Sequence, residues 1–246
     1  MAMLGTLALA LVVRQRSHGD LSPVIAGAMA LPLMLTGRAR RGSGDQPEAT
    51  STRPVQAAAR AQPADAEADF RLATALEREH DLAGAEDAYR RADALGHPEA
   101  GFQLGCMLAE RADLDGARSL FSRADELGHA AGACNLGILL EHENDLPGAE
   151  AAYSRADERG NADAAFILGG LLVGRGDLAG AEAAYVRADE RGHAAGAFNL
   201  GVLLEQRGDS AGATSAYLRA EQRGDGEVAD QARAALAGLD GHLPDQ

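Results

Sequence analysis

Apolar side chains recur at helical spacing along most of this chain, in a frame that repeats every 32 residues. The units begin at Ala64, Gly96, Gly128, Gly160 and Gly192, and a truncated sixth unit begins at Gly224. The five complete units are therefore 64–95, 96–127, 128–159, 160–191 and 192–223. Because no gap interrupts the frame, the chain is predicted to be a repeat protein in which each unit is one structural motif.

Each unit contains two predicted helices. Leucine occupies positions 9 and 13 of the unit, and alanine, an aromatic residue and alanine occupy positions 22, 26 and 29. Both sets place apolar side chains on one face of a helix. Aspartate at position 18 of every unit predicts the N-cap of the second helix, and glycine or asparagine at position 17 of three units predicts a left-handed end of the first. Further N-caps are predicted at position 2, at Asp65, Asn161 and Asp225.

A hairpin of two helices of about 13 residues cannot bury its apolar face alone, whereas stacked hairpins can. The predicted fold is all-α: a right-handed α-solenoid of five 32-residue hairpins with a C-terminal capping helix. Glycine at position 10 of four units falls inside the first helix, where it costs about 1 kcal/mol relative to alanine. We expect these glycines to admit the second helix closely, against the alanine at position 22.

The repeated phrases resemble a known family. The Leu-Gly pairs at 104–105, 136–137, 168–169 and 200–201, and the run Tyr185 to His193, are similar to tetratricopeptide repeats and, more closely, to Sel-one-like repeats. The unit departs from the tetratricopeptide length of about 34 residues, and its inter-helix loop is reduced to Gly-Asp. The resemblance implies a protein-interaction scaffold, but it does not identify the ligand.

The resemblance also implies where a partner binds, because the first helices of tetratricopeptide proteins line a concave groove. Alignment on the Leu-Gly pairs places Gln103, Asn135, Ile167 and Asn199 in the groove, beside Phe102, Cys134, Phe166 and Phe198. Side-chain amides can donate to and accept from an extended peptide backbone, so they are the first candidates for partner contact. The phenylalanines are candidates as well, and the alternative is that they pack between neighbouring repeats.

Charge limits the kind of partner. Seven of the 23 basic residues, all arginine, and three of the 37 acidic residues precede residue 64, so residues 1–63 carry a net charge of +4 and residues 64–246 carry −18. An acidic domain that is poor in aromatic residues is a weak candidate for binding nucleic acid. A basic or neutral protein or peptide is the predicted partner. The alternative is a regulatory or sensor module that binds a small ligand or lipid within the solenoid.

Catalytic and metal-binding chemistry is not favoured. No G-x-S-x-G, H-E-x-x-H or phosphate-binding glycine loop occurs in the context it needs, so the chain is predicted to be non-enzymatic and without a cofactor. His97, His129 and His193 share position 2, but packed helices lie about 8–10 Å apart, whereas zinc ligands lie about 2 Å from the metal. No metal site is predicted, and Cys106 and Cys134 are predicted to be small buried hydrophobes.

Two further sets of charges recur in the second helices. Arginine at position 28 of every unit, from Arg91 to Arg219, is predicted to form a surface row. Acid pairs such as Asp189-Glu190 are predicted to be solvated charges at the helix ends.

The first 63 residues differ in composition from the repeats. Residues 1–41 contain apolar stretches at 3–13 and 21–37, and residues 42–63 are predicted to be a disordered linker before the repeat domain of 64–246. The second stretch is near the minimum length for a bilayer span. It predicts attachment to the inner face of the cell membrane with the repeats in the cytoplasm, because arginines follow it. A misassigned start codon or a loose apolar tail is the alternative, and the oligomeric state is left open.

Overall fold

The structure is a computed structural model, and it describes residues 63–240. The predictions for residues 1–41 and 42–62 lie outside these residues. The described part contains eleven α-helices. They are α1 Pro63–Arg78, α2 Leu82–Ala94, α3 Pro98–Glu110, α4 Leu114–Glu126, α5 Ala130–His142, α6 Leu146–Glu158, α7 Ala162–Gly174, α8 Leu178–Glu190, α9 Ala194–Gln206, α10 Ser210–Arg223 and α11 Gly226–Asp240.

The helix ends follow the predicted caps closely. Aspartate at position 18 caps the second helix of every unit. Its carboxylate accepts a hydrogen bond of 2.9–3.0 Å from the backbone N–H of the glycine at position 21. The residue at position 17 is left-handed in all five units, even where it is His80 or Ala112. One predicted cap is wrong: α1 begins at Pro63, so Asp65 lies in its first turn.

Odd-numbered and even-numbered helices pair as hairpins, and each hairpin packs on the next. The predicted all-α solenoid is confirmed, and α11 covers its C-terminal end by packing on α10 and α9. The first helices of neighbouring repeats also touch, as α7 does with α9 and α9 with α11. This contact between first helices places them on the inner side of the array, and we call their exposed surface the inner face.

The glycines at position 10 explain how closely the two helices pack in four of the five hairpins. A Cβ atom added at Gly137 would lie 2.6 Å from the ring of Tyr153, and the other three units have the same arrangement at 2.5–2.6 Å. Close approach was predicted correctly, but the neighbour is the aromatic ring of position 26 and not the alanine of position 22. The large buried rings of position 26 therefore pack directly on the backbone of the first helix at the glycine of position 10.

We expect Gly137→Ala to lower the free energy of unfolding by about 1–3 kcal/mol, because the new methyl group overlaps the ring of Tyr153 in a filled core. Gly174→Ala is the matched control, since a Cβ atom added at that residue would have no neighbouring atom within 4 Å. That change should instead stabilise α7 by up to about 1 kcal/mol. Urea denaturation of both variants tests the prediction, and it fails if the two substitutions change stability in the same direction.

None of the helices within residues 63–240 is long and apolar enough to cross a membrane. The predicted membrane segment, residues 21–37, lies outside the described residues.

Candidate interaction surface

The predicted amide row is interrupted on the inner face. Gln103 and Asn199 are partly exposed, but Asn135 is only 2% exposed, and its amide donates to Sγ of Cys106 in the preceding repeat at 3.8 Å. The prediction that Asn135 is open to a partner is therefore wrong. The physical reason is that α5 packs between α4 and α6 while the Asn135 amide meets Cys106 of α3, and the whole run 132–139 is buried.

Phenylalanine at position 7 packs between repeats. The ring of Phe102 is 2% exposed and lies 4.7 Å from the ring of His129 in the next repeat, measured between centroids. Phe166 stacks on His193 in the same way at 4.5 Å. The expectation of partner contact by Phe102 is corrected, since the ring has no free surface to offer. Phe166 and Phe198 are only partly buried, so partner contact by them stays a prediction.

The histidines at position 2 connect one repeat to the next. Nδ1 of His129 accepts a hydrogen bond from the backbone N–H of Gly132 at 3.0 Å and so caps α5. Its Nε2 lies 2.7 Å from the carboxylate of Glu99 in the preceding repeat. Because Nδ1 accepts, the ring proton is on Nε2 and is donated to Glu99. His97 and His193 have the same three contacts, with Glu67 and Asp163 as their acids.

The contacts between histidine and acid correspond to a correlation in the sequence that the repeat pattern did not predict. Each histidine at position 2 follows a repeat with an acid at position 4. Where position 4 is alanine, at Ala131 and Ala195, the next repeat has Asn161 or Asp225 instead of histidine. The histidine and the acid therefore occur together. No group of three or more potential metal ligands is found among residues 63–240.

A second set of contacts across the junctions joins the charges of the second helices. Asp157 in α6 is 4% exposed, and it accepts hydrogen bonds from Arg187 and Arg191 of the next repeat at 2.5–2.9 Å. We call such a buried position-30 aspartate with its two arginines a clamp. Complete clamps occur at three junctions: Asp125 with Arg155 and Arg159, Asp157 with Arg187 and Arg191, and Asp189 with Arg219 and Arg223.

The clamps correct two predictions. The arginines at position 28 are partly exposed, but in four units they hold an aspartate of the preceding repeat rather than forming an unpaired surface row. Asp189 was predicted to be solvated and is instead buried. Both arginines of each clamp are supplied by the following repeat, so the clamp acts as an electrostatic contact between hairpins.

The clamp at Asp125 lowers the pKa of its carboxyl group. Burial opposes ionisation of Asp125, but hydrogen bonds from Arg155 and Arg159 outweigh it, and the pKa of Asp125 lies below its ordinary value. A carboxyl group whose pKa is lowered by folding stabilises the protein above its unfolded-state pKa and loses that contribution as the pH falls through the folded-state pKa.

We therefore expect the stability difference between wild type and Asp125→Asn to be largest and constant near neutral pH and to shrink below about pH 4. Denaturant unfolding of both proteins at neutral pH and at the lowest pH where both remain folded measures this difference. A difference that stays constant or grows on acidification would contradict the assignment.

Comparison with solved structures identifies the architecture. A protective antigen of uropathogenic Escherichia coli strains, described as displaying an SLR fold, superimposes with a TM-score of 0.63 at 22% identity over 76% of this chain and 44% of its own. A Sel1 repeat protein from Oxalobacter formigenes superimposes with a TM-score of 0.56 at 20% identity over 74% of this chain and 89% of its own. The fold is that of the Sel-one-like repeat solenoids. No protein-family model and no curated protein matches the sequence.

Within three of the five hairpins of the solenoid, tyrosine at position 26 donates its hydroxyl proton to glutamate at position 14. The hydroxyl of Tyr153 lies 2.9 Å from the carboxylate of Glu141, and two other units have the same contact. Burial raises the pKa of Tyr217, and the Glu205 carboxylate raises it further, so the phenol stays protonated as a donor. These glutamates thus anchor the ends of the first helices while they remain at least partly exposed.

Acidic side chains recur along the first helices. Position 4 supplies Glu67, Glu99 and Asp163, and position 14 supplies Glu77, Glu141 and Glu205. Glu67 and Glu99 remain 46% and 37% exposed although each meets a histidine. The hydrogen bond from His129 is the main cause of a lowered pKa at Glu99, so this acid is ionised at neutral pH.

A cavity of about 640 Å³ opens between α4 and α5. Arg118, Ser119 and Ser122 form its polar wall, and Leu136 and Leu140 form its apolar floor. The cavity lies between a second helix and the first helix that follows it, so it is separate from the row of predicted amides.

Proposed function

We propose that this chain is a non-enzymatic scaffold that binds a basic or neutral protein or peptide segment on the inner face of its solenoid. The observation that carries the proposal is the row of acidic side chains along the first helices, at positions 4 and 14, within a repeat region of net charge −18. Surfaces of one sign raise the local concentration of oppositely charged segments and speed their association.

Partner contacts on this face are proposed for the predicted residues that remain partly exposed, which are Gln103, Asn199, Phe166 and Phe198. Gln103 already donates to Glu99 at 2.9 Å, so its carbonyl oxygen is available to accept from a partner N–H. Burial raises the pKa of the Tyr185 hydroxyl, and the side chain of Asn199 opposes that shift by interacting with it. The contact atoms are therefore held in place before a partner arrives, which lowers the entropy cost of binding.

The roles of the other recurring polar groups support a scaffold over an enzyme. The histidines cap helices and bind carboxylates, the position-30 aspartates bind arginines, and three tyrosines bind glutamates. Each of these contacts lies within a repeat or joins two repeats. The repeated polar chemistry of residues 63–240 thus builds the array, and its variable surface is what a partner would recognise.

Selection from a displayed random-peptide library on the immobilised full chain tests this function. We expect the selected peptides to be enriched in arginine and lysine and to bind more weakly as salt increases, because exposed charges are screened beyond about 8 Å at physiological ionic strength. Selected peptides without a charge preference, or with salt-independent binding, would contradict the proposal.

A matched pair of triple variants then localises the binding. Glu77→Gln, Glu141→Gln and Glu205→Gln together remove three charges from the first helices, while each glutamine can still accept the tyrosine hydroxyl. The control removes three exposed charges from the second helices at Glu126, Glu158 and Glu190. Peptide affinity should fall about tenfold or more in the first triple variant and change little in the control. Equal losses would place the binding surface elsewhere.

A second candidate function is a sensor module that binds a small ligand, and the cavity between α4 and α5 favours it. Its volume lies within the range of small-molecule sites. Ser122→Trp would fill the cavity, and Ser154→Trp at the same position of the next unit is the control. A compound that raises the melting temperature of wild type and of Ser154→Trp, but not of Ser122→Trp, would support this function; equal shifts in all three would dismiss the cavity as its site.

We also propose that residues 21–37 attach the chain to the inner face of the cell membrane with the repeats in the cytoplasm. The support is the apolar run followed by Arg38, Arg40 and Arg41, since arginines flanking a span are retained on the cytoplasmic side. Fractionation of the full chain should recover it with membranes, and deletion of 21–37 should release it. Full recovery in the soluble fraction before deletion would contradict the attachment.

A further inference from the structure

The junction between the first and second repeats has an incomplete clamp. Asp93 is 5% exposed and occupies position 30, but position 32 of the next repeat is Leu127 instead of arginine. Arg123 alone reaches Asp93: its Nη1 lies 3.1 Å from Oδ2, and its Nη2 donates to the backbone carbonyl at 2.5 Å. Oδ1 of Asp93 is buried and has no hydrogen-bond partner, the one side-chain atom in this condition among residues 63–240.

The three complete clamps show which group this oxygen lacks. In each, one carboxylate oxygen accepts a hydrogen bond of 2.5–2.6 Å from Nη1 of the arginine at position 32. At Asp93 a second guanidinium is missing, while the aspartate and the first arginine are retained. An unsatisfied buried carboxylate oxygen costs free energy, and the chain carries this cost at one junction out of four.

The residue that lies beside Asp93 is also smaller than its counterparts at the complete clamps. Position 6 is Gly101 here, and a Cβ atom at that residue would lie 2.7 Å from Oδ1. The corresponding residues at the complete clamps are Ala133, Ala165 and Ala197. Leu127, which occupies the repeat position of the missing arginine, is 44% exposed, so its side chain has solvent into which it can rotate. We call Asp93, Arg123, Gly101 and Leu127 the socket.

We propose that the socket binds an arginine side chain of a partner protein, whose guanidinium takes the place that Arg159, Arg191 and Arg223 fill at the other junctions. Entry requires Leu127 and the Asp93 carboxyl to rotate, after which Oδ1 accepts from the guanidinium and the alkyl stem lies along Leu127. This site goes beyond the proposed function, because it lies at the junction of α2, α3 and α4 and is independent of the inner-face acids.

Arginine fits this site better than lysine. The guanidinium is planar and binds a carboxylate that already holds a second guanidinium, as the complete clamps show. Lysine presents a compact, strongly hydrated charge that loses more hydration on burial. Burial holds the pKa of Asp93 above its ordinary value despite Arg123, which agrees with a carboxylate that lacks part of its counter-charge.

The test uses the full chain and the probe N-acetyl-L-arginine methylamide, with the lysine analogue as the competing chemistry. NMR titration should give saturable shifts at Asp93, Arg123 and Leu127 with the arginine probe, and at least tenfold weaker binding with the lysine probe. Leu127→Arg should fill the socket from within the chain, raise the melting temperature and abolish the shifts.

Leu95→Arg is the matched control, since it makes the same substitution at position 32 of the first unit, where no preceding aspartate exists in the repeat frame. It should leave the binding of the arginine probe unchanged. The proposal is overturned if wild type shows no saturable shift at these residues, if shifts persist in Leu127→Arg, or if both variants lose them equally. None of these outcomes bears on the inner-face acids, which the glutamine variants test separately.

Discussion

Tyr153→Ala is expected to lower the free energy of unfolding by about 3–5 kcal/mol, the range for truncating a fully buried large aromatic side chain. The ring of Tyr153 is 0% exposed and lies in the central core cluster with Leu136, Ala149 and Ala156. It rests directly on the backbone at Gly137. Truncation therefore leaves a cavity that the rigid hairpin cannot close by a small movement.

Tyr153→Phe separates the ring from its hydroxyl. This variant keeps the packing and removes the hydroxyl with its hydrogen bond to Glu141, so we expect a loss of about 1 kcal/mol. Urea denaturation followed by circular dichroism measures both variants. A Tyr153→Ala loss no greater than that of Tyr153→Phe would show that the ring is not the core element we describe.

Asp157→Ala is expected to lower stability by about 2–3 kcal/mol and to do so at one junction. Removing one partner of a buried ion pair costs about 3–5 kcal/mol. The cost is smaller here because Arg187 and Arg191 remain 39% and 26% exposed and can turn toward water. Because repeat arrays are stabilised by contacts between neighbours, the loss should weaken the coupling of the third and fourth repeats.

Hydrogen exchange on Asp157→Ala should therefore show faster opening of α6 and α7 than of α2 and α3. Glu158→Ala is the control, since it removes the adjacent exposed acid and should change stability by less than about 0.5 kcal/mol. Equal effects of the two substitutions, or uniform acceleration along the chain, would contradict a local clamp.

The architecture followed from the sequence because its determinants are local or strictly periodic. Asp145, for example, caps a helix that begins at the next residue, and Gly137 recurs at a fixed place in the unit. Such signals depend only on contacts within one hairpin, which every unit repeats. The helix bounds, the turns and the stacking could therefore be derived by alignment of the chain with itself.

The contacts between repeats were harder to predict. Asp157 and Arg187 are 30 residues apart, and helical periodicity states only that each lies toward one side of its own helix. Whether the two charges meet depends on the rotation from one hairpin to the next, which no single unit encodes. The sequence does show that Leu127 replaces the arginine found at position 32 of the next three units. That difference indicates an incomplete clamp only once the structure shows that the position-32 arginine binds the position-30 aspartate of the preceding repeat.

The burial of Asn135 shows the same limit at the candidate site. Gln103, Asn135 and Asn199 share one position of the unit, yet only Asn135 is buried. Its environment is set by the packing of α5 between α4 and α6 and by the contact of its amide with Cys106 of α3. Sequence position places the three amides at equivalent points of the first helices, but the exposure of each one depends on how its repeat packs within the solenoid.

Hydrogen-exchange mass spectrometry of the full chain, with and without a selected basic peptide, tests most directly the claim that the inner face is the binding surface. We predict slower exchange in the first helices α3, α5, α7 and α9 and unchanged exchange in the second helices α6, α8 and α10. Protection confined to the second helices would contradict the claim.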